Sequence, residues 1–277
     1  MHNPYDQNLT IFFAKLNAMF GSFQLLCNQL NSFDNWYSQS LLKNGISPDL
    51  IRAGSCLLMQ DVTEKPQSLC RNKYCVGKFE IKGDEYFKHL NDVKLREASW
   101  CISQAFEAFE RFLNNTVILT HKLKPDCVTE KKKKKFEEKC KINSKDKKNY
   151  FVNFTNFTYR SNIKKINFLK KFSTTFKQNL DNNYSLRNFN DWFTFFSEIR
   201  HAIVHNEMVI KFNKFKWEKI NPRFMDKYFP GNLSENGYLL HFESKHVRLN
   251  LESLLEFSFL IYKSVSYEFN YDIIGLK

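Results

Sequence analysis

The sequence predicts a mainly α-helical protein with one small β excursion. Long stretches of the chain repeat apolar residues with the 3.6-residue period of a helix. The 277 residues include only 8 glycines and 6 prolines, so turns are few. Alternating β-branched and aromatic residues are confined to about 208–247, where they indicate short strands. Because 43% of the residues are hydrophobic, we expect one helical domain over 1–277 with a sizeable core.

Helical periodicity defines the main elements. Apolar residues from Phe12 to Tyr37 recur in steps of four and three, and Gly45 ends this first helix. Further helices are predicted at about 85–121, 159–180, 188–206 and 251–269, the first of these with a break near Asn91 left open. The last helix follows the β excursion and closes the bundle.

The connections between these helices are predicted from turn chemistry. Ser47 and Pro48 resemble a helix N-cap followed by proline at the first helical position, which predicts a short helix from Pro48 to about Met59. Residues 61–83 predict an irregular connection. Within the β excursion, Asn236-Gly237 is a hairpin turn signal.

The charge of the chain favours a polyanionic partner. The net charge is +13 and the pI is near 9.3, which favours nucleic acid over a membrane surface. A lysine-rich insertion at about 122–149 holds twelve lysines against five acidic residues. It is either a mobile loop or solvated helix extension, or an arm that gathers RNA through phosphate contacts. The RNA-binding candidates are Lys131, Lys132, Lys133, Lys134 and Lys135.

Cysteine usage and the absence of targeting signals predict a cytoplasmic protein. The 7 cysteines have irregular spacing without a Cys-x2-Cys pair, which fits reduced thiols and predicts neither a metal nor a cofactor. A metal held by Cys70, Cys75 and His89 is a weaker alternative. We see neither a signal peptide pattern nor a run of about 18 apolar residues, so we expect no membrane partner.

The most informative stretch runs from Asp191 to Met208. Its apolar stripe consists of Trp192, Phe196, Ile199 and Ile203, in steps of four, three and four. Beside this stripe lie Arg200, His201, His205 and Asn206. The guanidinium fork matches phosphate oxygens and keeps its charge, and imidazole titrates near neutral pH. The stretch therefore predicts chemistry at a phosphate.

The residues EIRHAIVHN resemble the Arg-x4-6-His motif of the HEPN superfamily, with four residues between Arg200 and His205. Many HEPN proteins are metal-independent ribonucleases, and others are non-catalytic nucleotide-binding or scaffold domains. The resemblance implies a HEPN-like helical bundle in which Arg200 stabilises phosphate charge and His205 transfers protons. His201 and Asn206 are supporting candidates; the family often carries Asn where this chain has His201.

A single motif in the chain has consequences for assembly. HEPN nucleases join two motifs in a shared cleft, so the resemblance implies a homodimer that leaves 2′,3′-cyclic phosphate and 5′-hydroxyl ends. It also implies a toxin or antiphage effector with an antitoxin or defence-system partner. One HEPN branch carries, two residues after the motif histidine, a tyrosine that a nucleotidyltransferase modifies. Here that residue is Glu207, which argues against this branch.

An acidic residue on an earlier helix supports the site in some HEPN proteins. Glu107 and Glu110 share a polar stripe, and Glu110 is about 40° from Phe106 around the helix, so we expect Glu110 to face Arg200. Two other functional interpretations stay open: a non-catalytic RNA-binding or regulatory HEPN domain, and a structural helical protein with a chance motif.

A metal site on the motif helix is a further alternative. His201 and His205 are four residues apart, so they share a helical face and could bind a metal with Glu198 or His241. A zincin motif would need glutamate at the position of Ala202.

Overall fold

The computed structural model describes residues 2–45, 53–60, 73–82, 85–141, 149–181, 183–184, 187–205, 208–211 and 222–273. The chain is mainly α, as the sequence predicts. The helices are α1 (Asp6–Asn44), α2 (Tyr86–Leu123), α3 (Glu130–Cys140), α4 (Tyr150–Thr158), α5 (Asn162–Phe172), α6 (Thr174–Asp181), α7 (Phe189–His205), α8 (Pro222–Tyr228) and α9 (Ser244–Glu268). A short 3-10 helix, Pro125–Cys127, precedes α3.

In the described ranges the strands form three small antiparallel sheets. Strands β1 (Ala53–Gln60) and β2 (Lys73–Ile81) pair with each other, as do β3 (Asn183–Tyr184) and β4 (Arg187–Asn188). Strands β5 (Val209–Ile210), β6 (Gly231–Ser234) and β7 (Gly237–Leu240) form a three-stranded sheet in the order β5-β7-β6. This last sheet confirms the predicted β excursion between the motif helix and the last helix.

The chain divides into two compact units, and the single domain expected from the sequence stays a prediction. The larger unit comprises Met1–Phe23 and Ala98–Lys277, and the smaller unit comprises Gln24–Glu97. Helices α1 and α2 contribute residues to both units. By length and composition alone, α1 is also apolar enough to cross a membrane, a property that the sequence analysis did not assign to it.

The smaller unit corrects two predictions. Residues 53–59 belong to strand β1, where the sequence predicted a helix, and Lys73–Ile81 is a strand where an irregular connection was expected. The other residues of these two predictions, 48–52, 61–72 and 83, lie outside the described part of the chain. A short apolar run such as that in β1 has no period that separates a strand from a helix.

Aromatic rings fill the core of the larger unit. The buried ring of Phe109 on α2 lies 6.1 Å from Phe12 of α1, 5.4 Å from Phe193 of α7 and 5.5 Å from Phe257 of α9. The Phe109 ring of α2 therefore packs against rings from three other helices. Such aromatic pairs stabilise a fold by about 0.5–1.5 kcal/mol each beyond the area that they bury.

The helices differ from prediction in number and in their boundaries. The helix expected over 159–180 is two helices, because the Ser173 hydroxyl accepts a hydrogen bond from the Phe176 amide at 3.1 Å and starts a new helix there. Helix α4 was not predicted, and α9 begins at Ser244 and not near Leu251. Helix α2 continues through Asn91 without a break.

Part of the lysine-rich insertion forms a helix that packs against the core. Within it, Glu130–Cys140 forms α3, and the fully buried Phe136 packs against the rings of Tyr150, Phe154 and Phe157. Within the insertion, Glu130–Cys140 is therefore an anchored helix and not a loop. Cys101 on α2 is buried, and its thiol donates to the Met19 carbonyl oxygen at 3.9 Å.

Candidate functional site

The polar residues of the motif helix α7 lie along the edge of its buried apolar face. Trp192, Phe196 and Ile199 are fully buried, as the apolar stripe predicts, whereas Ile203 is half-buried. The rings of Phe193 and Phe196 lie 5.8 and 5.2 Å from Phe106 of α2. This packing fixes α7 against α2 and sets Arg200 at the boundary between core and solvent.

Arg200 contacts Glu107, and not Glu110 as the sequence analysis expected. Arg200 Nη2 donates to Glu107 Oε1 at 3.5 Å, and the two side chains are 28% and 36% exposed. Glu110 instead accepts a hydrogen bond from Asn162 Nδ2. The long contact between two partly exposed groups holds the guanidinium in place with little stabilisation of the fold.

The direction of α7 explains which glutamate is used. Phe193 contacts both Phe106 and Phe109, while Phe196, nearly one turn later, contacts Phe106. Helix α7 therefore runs antiparallel to this part of α2, so Arg200 lies towards the N-terminal end of α2, nearer to Glu107. Periodicity alone does not give the direction of a neighbouring helix.

The Arg200 guanidinium has N–H donors that remain available to a ligand. Its buried Nε has no hydrogen-bond partner among the described residues. A guanidinium has five N–H donors in a planar fork, and here Glu107 supplies the contact described above. An anion with two acceptor oxygens, such as a phosphate, matches the remaining donors.

The two histidines of the motif lie on the exposed side of α7. Their ring centroids are 4.8 Å apart, as expected for residues one turn apart. His201 lines the cavity next to Arg200, whereas His205, the last residue of the helix, lies outside the set of residues described for its walls. Asn206 lies outside the described residues, so its supporting role stays a prediction.

The cavity beside Arg200 has a volume of about 830 Å³ and is open to solvent. Its walls come from α2, α4, α5 and α7 and carry the cations Arg111, Arg160, Lys165 and Arg200. The carboxylates are Glu107, Glu110 and Glu198, and amides are contributed by Asn114, Asn115, Asn156 and Asn162. Partial burial lowers the pKa of Lys165, and the charge of Glu110 opposes that shift. The cavity is therefore polar with a small excess of positive charge.

Sequence analysis missed three of the cavity's cations. Arg111 follows Glu107 by four residues on α2, so a helical wheel of that helix places both on one face. Arg160 lies in the connection between α4 and α5, and Lys165 lies near the start of α5, within the longer helix that the sequence predicted. Their proximity to Arg200 depends on tertiary packing for which the sequence carries no local signal.

The five lysines expected to bind RNA lie on α3, and none is among the residues described for the cavity walls. Lys132 Nζ lies 5.2 Å from the Tyr159 ring centroid, and Lys133 forms a 2.7 Å ion pair with Glu130. Lys131, Lys134 and Lys135 are exposed. Lys132 is exposed too, so four of the five candidate lysines are available to a polyanion.

Metal ligation has little geometric support in the described part of the chain. No group of three His, Cys, Asp or Glu side chains there is placed to hold an ion. His201 and His205 lie side by side, but neither Glu198 nor His241 completes such a group with them. Cys70, of the other alternative, lies outside the described residues.

Comparison of the chain with known protein families, curated proteins and solved structures finds no match. The resemblance to the HEPN superfamily therefore depends on the residues of the chain itself.

Proposed function

We propose that this protein is a metal-independent endoribonuclease of HEPN type that acts as a toxin or antiphage effector in the cytoplasm. One observation carries the proposal. Arg200 contacts Glu107 at the wall of an open cavity, and other N–H donors of its guanidinium remain available to a ligand. His201 and His205 occupy consecutive exposed turns of the same helix. No metal or cofactor is required for the chemistry that these residue types support.

The proposed reaction is an internal transesterification of RNA. A histidine removes the proton from a ribose 2′-hydroxyl, and the oxygen attacks the adjacent phosphorus. The bond to the 5′-oxygen breaks, and a second acid protonates that leaving oxygen. Arg200 stabilises the additional negative charge on the phosphate in the transition state. The products carry 2′,3′-cyclic phosphate and 5′-hydroxyl ends.

The reaction needs a base and an acid on opposite sides of one phosphate. Arg200 and His201 line the cavity of a single protomer, but His205 lies at the exposed end of α7. A homodimer related by a two-fold axis would bring His205 of each copy to the Arg200 of the other. The proposal therefore includes a homodimeric cleft, with RNA as substrate and an antitoxin or defence-system protein as the regulatory partner.

The test is cleavage of RNA in EDTA by wild type and by Arg200→Ala, His205→Ala and His201→Ala. Loss of the Arg200 charge, or of a histidine that transfers protons, should lower the rate of RNA cleavage at least about 100-fold. His241→Ala is the matched control, because His241 is exposed and outside the cavity walls described above. Equal cleavage by wild type, Arg200→Ala and His205→Ala would remove the motif from the mechanism.

Mixing two inactive variants tests the shared cleft. In a heterodimer of Arg200→Ala with His205→Ala, one of the two composite sites keeps both residues. The mixture should regain about a quarter of wild-type activity, because about half of the dimers are mixed and each has one intact site. A site built within one protomer would give no recovery.

A non-catalytic RNA-binding HEPN domain is the second candidate. It is favoured by the separation of His205 from the cavity and by the pairing of Arg200 with Glu107. It predicts salt-dependent RNA binding that His205→Ala leaves unchanged, without a cyclic-phosphate product.

A further inference from the structure

We infer that the cavity beside Arg200 is a subsite for the nucleotide next to the scissile phosphate. Lys165 and Arg111 bind that nucleotide's phosphodiester, and Asn114 accepts a hydrogen bond from its sugar or base. The inference rests on the proposed function, because it takes Arg200 as the group that holds the reacting phosphate. The ligand chemistry, a phosphate joined to a ribonucleoside, could come from an RNA strand or from a free nucleotide.

The cavity is longer than one phosphate requires. Its α2 wall extends from Glu107, beside Arg200, to Asn114. Seven residues of helix at 1.5 Å rise correspond to about 10 Å. The volume of about 830 Å³ is in the range of sites that enclose small molecules. A phosphate at Arg200 would fill only one end and leave space for an adjoining nucleotide.

The charges of the cavity suit a phosphodiester. Glu107 offsets Arg200, which leaves Arg111, Arg160 and Lys165 against Glu110 and Glu198. The remaining excess is one positive charge, equal in size to the single negative charge of a phosphodiester. Lys165 is half-buried on α5, and Arg111 is exposed on α2, so the two cations reach the cavity from different helices and at different depths.

Among the described residues, two buried polar atoms of the cavity lack a hydrogen-bond partner, one a donor and the other an acceptor. Arg200 Nε is a buried donor and Asn114 Oδ1 is a buried acceptor, and each is without a partner in the described ranges. Buried polar atoms are nearly always satisfied in proteins by protein groups or ordered water, so both atoms are available to a ligand that displaces water from the cavity. A nucleotide offers phosphate oxygens to the donor and a hydroxyl or amino hydrogen to the acceptor. Ile163, 51% exposed on the cavity wall, offers an apolar contact to a base.

Lys165→Met tests the phosphate contact against a matched control. Lys164→Met removes the same charge from the adjacent exposed residue of α5, which is not among the residues described for the cavity. The probe is a short fluorescent single-stranded RNA, with KM and kcat measured for its cleavage. Lys165→Met should weaken RNA binding about tenfold and raise KM with kcat within about twofold, as expected for loss of binding away from the reacting bond. Lys164→Met should match wild type.

Two further variants keep the inference testable if Lys165→Met destabilises the protein. Arg111→Met changes an exposed residue at the rim, and Asn114→Leu removes the unpaired acceptor without changing charge. Both should weaken RNA binding in a protein whose melting temperature is unchanged. Wild-type affinity in both variants would overturn the subsite.

The outcomes separate the subsite from the nuclease proposal. RNA cleavage that requires Arg200 and His205, but responds equally to Lys165→Met and Lys164→Met, overturns the subsite and leaves the nuclease. Binding of RNA that Lys165→Met weakens, in a protein that cleaves no RNA, supports nucleotide binding and overturns the nuclease. Binding of 5′-mononucleotides that Lys165→Met abolishes, with RNA binding unchanged, assigns the cavity to a free nucleotide and overturns the strand subsite.

Discussion

At the scale of single residues, Glu107 is the side chain whose role the structure changes most. It holds Arg200 through a 3.5 Å contact, and Glu110 on the same cavity does not reach Arg200. Glu107→Gln removes the charge that orients the guanidinium. We expect kcat for RNA cleavage to fall by about 10- to 100-fold, because small displacements of a catalytic group have effects of that size. Stability should change by less than about 1 kcal/mol, since both side chains are partly exposed.

Glu110→Gln is the control for that prediction. It removes the same charge from the same cavity but leaves the Glu107–Arg200 contact in place. Both variants should bind RNA at least as tightly as wild type, because each removes a negative charge near the phosphates. Equal kcat values for Glu107→Gln and Glu110→Gln would contradict a positioning role for Glu107.

His121 makes the stability of the fold dependent on pH. It is fully buried, its Nδ1 is 3.0 Å from the Thr155 hydroxyl, and rings of Phe154, Tyr159 and Phe168 surround it. Burial, with a smaller contribution from the charge of Lys132, lowers its pKa from 6.5 to about 3. The unfolded chain therefore takes up the proton first as the pH falls. The free energy of unfolding should fall by up to about 1.4 kcal/mol per pH unit from about pH 6.5 towards pH 3.

Urea unfolding of wild type and His121→Phe between pH 7 and pH 4 measures this contribution. Phenylalanine keeps a ring among the aromatic neighbours but does not titrate. It leaves the Thr155 hydroxyl unpaired, which costs about 1–3 kcal/mol at every pH. The wild-type curve should therefore be steeper than the variant curve, and parallel curves would show that the pKa of His121 is the same in the folded and unfolded states.

At the scale of secondary-structure elements, the long amphipathic helices were predictable and the short elements were not. Helices α1, α2, α7 and α9 each repeat an apolar stripe over several turns, which is the strongest signal in a sequence. Strand β1 and helix α4 are short and carry no comparable stripe. The Ser173 break depends on one hydroxyl that caps α6, and serine also occurs in continuous helices.

Helix α3 depends on a single anchor. Phe136 is its one buried residue, and the other positions are mostly charged. Phe136→Ala should destabilise the packing of this helix by about 3–5 kcal/mol. Because the lysines of α3 would then be released from the surface, trypsin should cleave after them faster than in wild type. Lys135→Ala, at an exposed neighbouring position, should leave stability within about 0.5 kcal/mol and leave cleavage at the remaining lysines unchanged.

Replacing either of two glycines with alanine should change the free energy of unfolding, but in opposite directions. At Gly237 the backbone φ is 146°, and a Cβ would lie 2.3 Å from the Ile210 carbonyl oxygen of the adjacent strand β5. At Gly21, inside α1, a Cβ would meet nothing within 4 Å. We expect Gly237→Ala to lower the free energy of unfolding by more than about 1 kcal/mol and Gly21→Ala to raise it by about 0.5–1 kcal/mol. Urea denaturation measures both, and destabilisation by Gly21→Ala would show that α1 is more closely packed there.

At the scale of the whole molecule, the sequence identified the motif but not the cavity in which it lies. Arg200 and His201 could be selected from one helix, because a cluster of polar residues interrupts its apolar pattern. Arg111 and Lys165 come from other helices, Arg160 comes from the connection between α4 and α5, and Asn162 donates to Glu110 across 52 positions of sequence. Such long-range neighbours follow from helix direction and packing, which a local pattern does not encode.

The net charge of +13 predicts RNA binding that weakens steeply with salt, and α3 should account for a defined part of that effect. Lys131, Lys134 and Lys135 are three of its exposed lysines. If all three neutralise phosphates of single-stranded RNA, replacing them with glutamine should reduce the slope of log K against log salt by about 2, because each contact contributes about 0.7. A triple variant of the exposed Lys15, Lys171 and Lys177 makes the same charge change elsewhere. Equal slopes for the two triple variants would show that RNA responds to total charge, whereas a smaller slope for the α3 variant alone would locate the RNA on this helix.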